Sequence, residues 1–143
     1  MADKAGDIKE EVWTHLKDFQ YVFLATVEGD QPRVRPVTLI YSDKKFWITT
    51  GTENAKVKQI QKNPKTEFCL YLQEKDKEYY VRVAGNAQII KDRGTKTKIA
   101  ACCDFFSRYW ESIDDPNYTL IEIRPVEIEY LRPGEFLARK FKI

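Results

Sequence analysis

The sequence predicts a mainly β, α+β protein: an antiparallel barrel of about six strands with helices packed on its outside. Three observations carry this. Six segments are rich in aromatic and β-branched residues and alternate with period two. They follow one another in hairpin-like runs across short turns, without the regular strand–helix alternation of a parallel sheet. The 143 residues, 43% of them hydrophobic, are enough for one domain, 1–143, with its own core. The barrel is expected over about 8–130, with a tail at 131–143.

From about Asp7 to Phe19 the chain reads as an amphipathic helix. Ile8, Val12, Leu16 and Phe19 share one face, and Asp7 with Glu10 resembles a capping box. Tyr21–Val27 and Arg33–Tyr41 read as strands joined by the turn residues Glu28-Gly-Asp-Gln31. Pro36 within the second strand predicts a free edge or a bulge, because proline brings no N–H to a ladder. Phe46–Thr50 is a third strand. A short helix over Ala55–Lys62 ends at Asn63-Pro64, where the residue before proline is driven out of the α region. Thr66–Leu72 and Tyr79–Lys91 are the next strands, and Gly85 marks a bulge or bend in the second. A helix is predicted from Asp92–Gly94 to about Trp110, and a last strand over Tyr118–Tyr130. The tail has no clear pattern.

Composition narrows the function. The 24 basic and 22 acidic residues nearly cancel, which gives no basic face for nucleic acid. No apolar run approaches a bilayer span, and the first residues lack the apolar core of a secretory signal. Cys69, Cys102 and Cys103 are odd in number and two are adjacent, so they are not a disulfide framework; a cytoplasmic setting follows. His15 is the only histidine. That argues against a metal site, a Ser/His/Asp system and a Cys/His system. The six glycines form neither GxGxxG nor GxxxxGK[ST]. Cys102 and Cys103 read as helix packing, and the carboxylate runs as solvated surface.

One constellation is left. Arg33 and Arg35 lie on a strand, Thr49 and Thr50 end the next, and Lys56 and Lys58 start a helix. A phosphate monoester needs cations and hydroxyl or N–H donors, and a helix N-terminus adds its own. Val37, Leu39 and Trp47 are placed to line an apolar slot for a ring. The set suits a flat, phosphorylated aromatic ligand.

The ordered pieces Phe23-Leu-Ala-Thr-Val27, Gly29-Asp-Gln-Pro-Arg-Val-Arg-Pro-Val37, Phe46-Trp-Ile-Thr-Thr50, Lys56 with Asn63-Pro64, and Val81-Arg-Val-Ala-Gly-Asn-Ala87 carry a resemblance. The chain is similar to the pyridoxamine 5′-phosphate oxidase-like family of FMN-binding split β-barrels, over roughly 8–130. Tyr109-Trp-Glu, Asp115-Pro-Asn-Tyr and Arg124-Pro-Val-Glu resemble its general-stress-protein-like branch.

The resemblance implies a six-stranded split barrel and a homodimer with one FMN in each of two interface grooves. It implies a flavin oxidoreductase acting on a small molecule, with no acid or base assigned. It places Arg35, Pro36, Val37, Thr38, Thr49, Thr50 and Lys56 at the cofactor. Thr49 stands where the family has an aromatic residue, and Ala55 where it has a second basic one, a role open to Lys58 or Arg33. Tyr80 stands at the position of a family glutamine. The tail Arg132–Ile143 lacks the Trp/Arg segment that completes the oxidase proper, which argues against vitamin B6 oxidation. Alternatives are a flavin-binding sensor without turnover and an F420-dependent reductase. Haem relatives use a histidine ligand, and only His15 is available.

Overall fold

The structure is a computed structural model that describes residues 5–143, with side chains from Ile8 onward. The first helix begins at Ala5, so Asp7, expected at its cap, lies inside it, and the Asp7 side chain is outside the described ones. The chain runs α1 (Ala5–Thr14), β1 (Phe19–Glu28), β2 (Gln31–Ser42), β3 (Lys45–Gly51) and α2 (Ala55–Lys62). It continues through β4 (Lys65–Glu74), β5 (Lys77–Ile90) and α3 (Arg93–Cys102). A 3₁₀ turn (Phe106–Arg108), β6 (Tyr118–Leu131) and β7 (Arg139–Lys142) follow. Every strand pair is antiparallel, in the order β3-β2-β1-β4-β5-β6-β7, and β3 pairs again with β6. That second pairing closes a ring, which makes the sheet a split barrel.

Period-two alternation fills the ring. Val22, Leu24, Phe46, Ile48, Phe68, Leu70, Val81, Val83, Ile121, Ile123 and Ile128 point inward and are buried. α1 covers one end with Ile8 and Val12. A second, smaller core lies outside the ring, where Ile99, Cys103 and Trp110 pack on Ile40, Trp47, Tyr118 and Leu120. Burial of these side chains supplies the main driving force, and it needs the register that puts each on its own face.

Two helices are shorter than predicted. α1 stops at Thr14, and Leu16 reaches the core from a turn closed by Leu16 N–H donating to Trp13 O. Phe19 then starts β1. A half-buried polar cluster ties this corner together. Glu11 accepts from Tyr130 Oη at 2.5 Å and from Arg132 Nε at 2.9 Å. Tyr130 has spent its proton on Glu11, so His15 Nε2–H donates to Tyr130 Oη at 2.9 Å. Burial holds the His15 imidazole below its ordinary pKa, and Glu11 only partly offsets this. The lone histidine is structural here. α3 likewise ends at Cys102 and not near Trp110. Continuing the helix would carry Phe106 and Trp110 away from Tyr118, which both rings contact. Cys103 is buried as packing, whereas Cys102 is exposed and is not.

The tail forms a seventh strand that its composition did not reveal. β3 covers only Tyr118–Ile123 of the long strand β6. The rest of that edge is free for Arg139–Lys142, which pairs with Glu127–Tyr130. Between these two partners lies Pro125, opposite Gly85, where the β5–β6 register slips. The bulge expected at Gly85 is present, and its cause is steric: a Cβ there would meet Arg124 O at 2.5 Å and Ile123 Cγ2 at 3.0 Å. Gly85→Val is expected to destabilise the fold by about 1–3 kcal/mol in urea unfolding. A change of a few tenths would show that the bulge tolerates a side chain.

Candidate functional site

β1 and β2 pair along their whole length, from Phe19↔Ile40 to Glu28↔Gln31. β2 and β3 pair only at Ile40↔Trp47, Tyr41↔Phe46 and Ser42↔Lys45. Beyond that point β3 stays paired only with β6, which it meets along Phe46–Gly51, and among the described residues β2 keeps a free edge from Gln31 to Leu39. Pro36 lies on this edge, as its missing N–H predicts. The parting of the two strands opens a groove of about 730 Å³, a size ordinary for a small-molecule site.

Five parts of the chain line the groove. Pro36, Val37 and Thr38 come from the free edge of β2, and Thr49, Thr50 and Gly51 from the end of β3. Asn54 and Lys56 come from the start of α2. Phe19, Gln20 and Tyr21 on β1 face the segment Asp104–Trp110 across the mouth.

The α2 end is electrostatically unusual. Lys56 is almost wholly buried, and its Nζ donates to Thr50 Oγ1 at 2.7 Å. Arg35 is half-buried just behind. Its Nη1 donates to Leu24 O at 3.1 Å and its Nη2 to Gln59 Oε1 at 2.8 Å. Gln59 is itself buried and held by Thr26 Oγ1 at 2.5 Å, so the guanidinium is fixed by neutral acceptors. Among the described residues neither cation meets a carboxylate. Burial, and then the nearby Arg35, push the Lys56 ammonium below its ordinary pKa; burial also lowers Arg35. The N-cap, Asn54, makes no side-chain bond to the first turn of α2. Two cations, a hydroxyl and an uncapped helix start thus converge without an anion.

Of the residues singled out in the sequence, Pro36, Val37, Thr38, Thr49, Thr50 and Lys56 line the groove together. Arg35 stands behind it. Lys58 does not join them: two residues on from Lys56, it lies on the opposite, exposed face of α2. Arg33 is exposed and paired with Glu28 at 2.8 Å. Leu39 is sealed in the inner core and Trp47 in the outer one, so of the expected apolar slot only Val37 faces the groove. Tyr80 lies on β5, outside the groove, with its hydroxyl donating to Glu129 at 2.8 Å. Sequence reasoning missed Gln59 and the wall Asp104–Trp110. Gln59 reads as one more polar helix residue, and the wall was absorbed into an overlong helix. Among the described residues no His/Cys/Asp/Glu group could hold a metal, and no helix is long and apolar enough to cross a membrane.

A closed antiparallel ring with a groove where β2 and β3 part defines the split-barrel class. The sequence profile described as pyridoxamine 5′-phosphate oxidase matches residues 8–132, so the chain belongs to that family, in its general-stress-protein branch. General stress protein 26 of Bacillus subtilis is 32% identical over 130 residues, which cover 90% of this chain and 91% of that protein. The crystal structure of General Stress Protein 26 from Bacillus anthracis is 27% identical, with a TM-score of 0.75. It covers 95% of this chain and 98% of its own. A structure from Nostoc punctiforme, described as pyridoxamine 5′-phosphate oxidase-related and FMN binding, shares the fold at 19% identity. Its TM-score is 0.68, over 100% of this chain and 97% of that one.

A buried ammonium that lacks an anion costs stability in the ligand-free protein. Lys56→Met is therefore expected to leave the unfolding free energy unchanged or higher without ligand. It should also abolish the protection that millimolar inorganic phosphate gives against thermal unfolding. A loss of more than about 1 kcal/mol, well beyond an ordinary surface change, would mean that Lys56 serves the fold rather than a ligand.

Proposed function

We propose that the groove binds FMN and that the protein is a flavin-dependent oxidoreductase acting on a small molecule. The observation that carries this reading is the Lys56–Arg35 pair, buried or half-buried and without a carboxylate at the end of the groove. A phosphate monoester fits that gap in charge and in hydrogen-bonding capacity. Lys56 and Thr50 would contact the phosphate directly, with the α2 N-terminus beside them. Arg35, locked by Gln59, adds its charge from behind. Pro36, Val37, Thr38 and Thr49 would flank the ring, as the family resemblance implies. When bound, FMN would supply hydride or electron transfer at its flavin ring. The protein's part is to hold the phosphate, orient the ring and keep one side of it open to the mouth. The family membership and the FMN-binding description of the Nostoc punctiforme relative support the choice of cofactor.

The tail does not favour vitamin B6 oxidation. Arg139–Lys142 is occupied in pairing with β6, and no described residue after Trp110 lines the groove. The oxidase's closing segment has no counterpart at this site within one chain.

A homodimer belongs to the same reading. Tyr21 is 81% exposed, Val34 68%, Phe23 51% and Tyr71 50%. All four point outward from β1, β2 and β4, which are hydrogen-bonded neighbours. That apolar face calls for a cover, and a second copy is the simplest. Tyr21 belongs both to this face and to the groove, so the second copy would border the site. Tyr80, at the position of the family glutamine, lies outside this chain's groove.

Titration of the purified protein is expected to show FMN binding that Lys56→Ala weakens about tenfold or more, since charge-assisted contacts are worth ~1.5–3 kcal/mol. Arg35→Ala should weaken it less. Riboflavin, which lacks the phosphate, should bind more weakly and respond little to either substitution. Equal losses for FMN and riboflavin would remove the phosphate from the cation cluster. Light scattering of the FMN-loaded protein at micromolar concentration should give a dimer, and a monomer would overturn the shared-site reading.

A further inference from the structure

The wall of the groove across from β2 takes no part in the proposed cofactor contacts. It is built by the chain between α3 and β6, and its root is rigid. Trp110 is buried, its Nε1–H donates to Asn117 O at 2.9 Å, and its ring lies 5.1 Å from Tyr118. Its tip is presented to the groove. Tyr109 lines the groove at 68% exposure, 5.5 Å from the Trp110 ring. Phe105 meets Phe19 edge-on at 6.0 Å across the mouth. Arg108 and Asp104 line the groove as well, and both are exposed. Among the described residues the Arg108 side chain has no ion pair, hydrogen bond or ring contact. Trp110 and Phe105 serve the outer core, whereas the exposed Tyr109 ring and Arg108 guanidinium stand outside it.

We propose that this wall is the substrate side of the groove and that it selects a planar aromatic carboxylate. Phe105 and Tyr109 offer ring surfaces for stacking. Arg108 offers a planar fork that matches a carboxylate in two parallel bonds. With the Lys56 end taken by a phosphate, Arg108 is the remaining cation lining the groove among the described residues. Asp104, four residues earlier, sets a counter-charge that limits how tightly an anion is held. This assignment rests on the flavin reading of the same groove.

The test uses FMN-loaded protein titrated by calorimetry with naphthoate and with its neutral amide, naphthamide. Naphthoate is expected to bind about tenfold tighter than naphthamide, as befits one charge-assisted pair. Arg108→Ala should erase that preference, and Asp104→Asn should strengthen naphthoate about threefold. Tyr109→Ala should weaken both probes alike. All three side chains are exposed, so the variants should fold, and none should change FMN affinity. Equal binding of the two probes, or binding of neither, would overturn the proposal. So would an Arg108→Ala protein that loses FMN rather than naphthoate, since Arg108 would then belong to the phosphate end. Failure to load FMN at all would sink the flavin reading instead. The same titrations on the ligand-free protein would then decide the role of the wall by itself.

Discussion

Backbone N–H and C=O groups must be paired or hydrated, and β2 leaves one edge without a strand partner from Gln31 to Leu39. The rest of the molecule is arranged around that free edge. β3 leaves β2 after three pairs while it holds β6 along Phe46–Gly51, so the strand that closes the ring also opens the groove. α2 follows β3 directly, so its first turn is delivered to the point of parting. The helix is short, and its buried face holds Lys56, Val57, Gln59 and Ile60. Two of these pack and two serve the site: Val57 and Ile60 bury apolar surface, while Lys56 enters the groove and Gln59 fixes Arg35.

The α2 end of the groove is therefore built at a cost in stability. Arg35 and Lys56 repel each other and have lost part of their hydration. The fold tolerates this because neutral partners hold both groups. Leu24 O and Gln59 accept from Arg35, and Thr50 accepts from Lys56. A carboxylate in any of those places would relieve the strain and would also cancel the positive charge an anion needs. Arg33 with Glu28 and Arg82 with Glu129 form ordinary ion pairs instead.

The outer core has a comparable double use. Ile99, Cys103 and Trp110 cover the outside of β3 and β6, which is a packing task. In doing so they anchor the segment that forms the far wall of the groove. The wall contains only one turn of 3₁₀ helix, and the buried Cys103 and Trp110 at its two ends hold it. Its exposed side chains, Arg108 and Tyr109, sit on a firm base that leaves them little to do for the fold.

The amino-acid sequence by itself determined the barrel class, nearly every strand and the helix Ala55–Lys62, because period-two alternation and proline or glycine punctuation are local signals. Part of the groove was legible too: Val37, Thr49, Thr50 and Lys56 are close enough in sequence to be read as one unit, and the family resemblance added Pro36 and Thr38. Three things were decided only by the tertiary structure. Lys58 was separated from Lys56 by helical geometry once one face of α2 was buried. The tail became a strand only because β6 outruns β3 and leaves an edge to fill. The helix expected up to Trp110 broke at Cys102 because Phe106 and Trp110 pack on Tyr118, eight or more residues further along the chain. Each of these depends on which surface lies opposite, and no window of sequence contains its own partner.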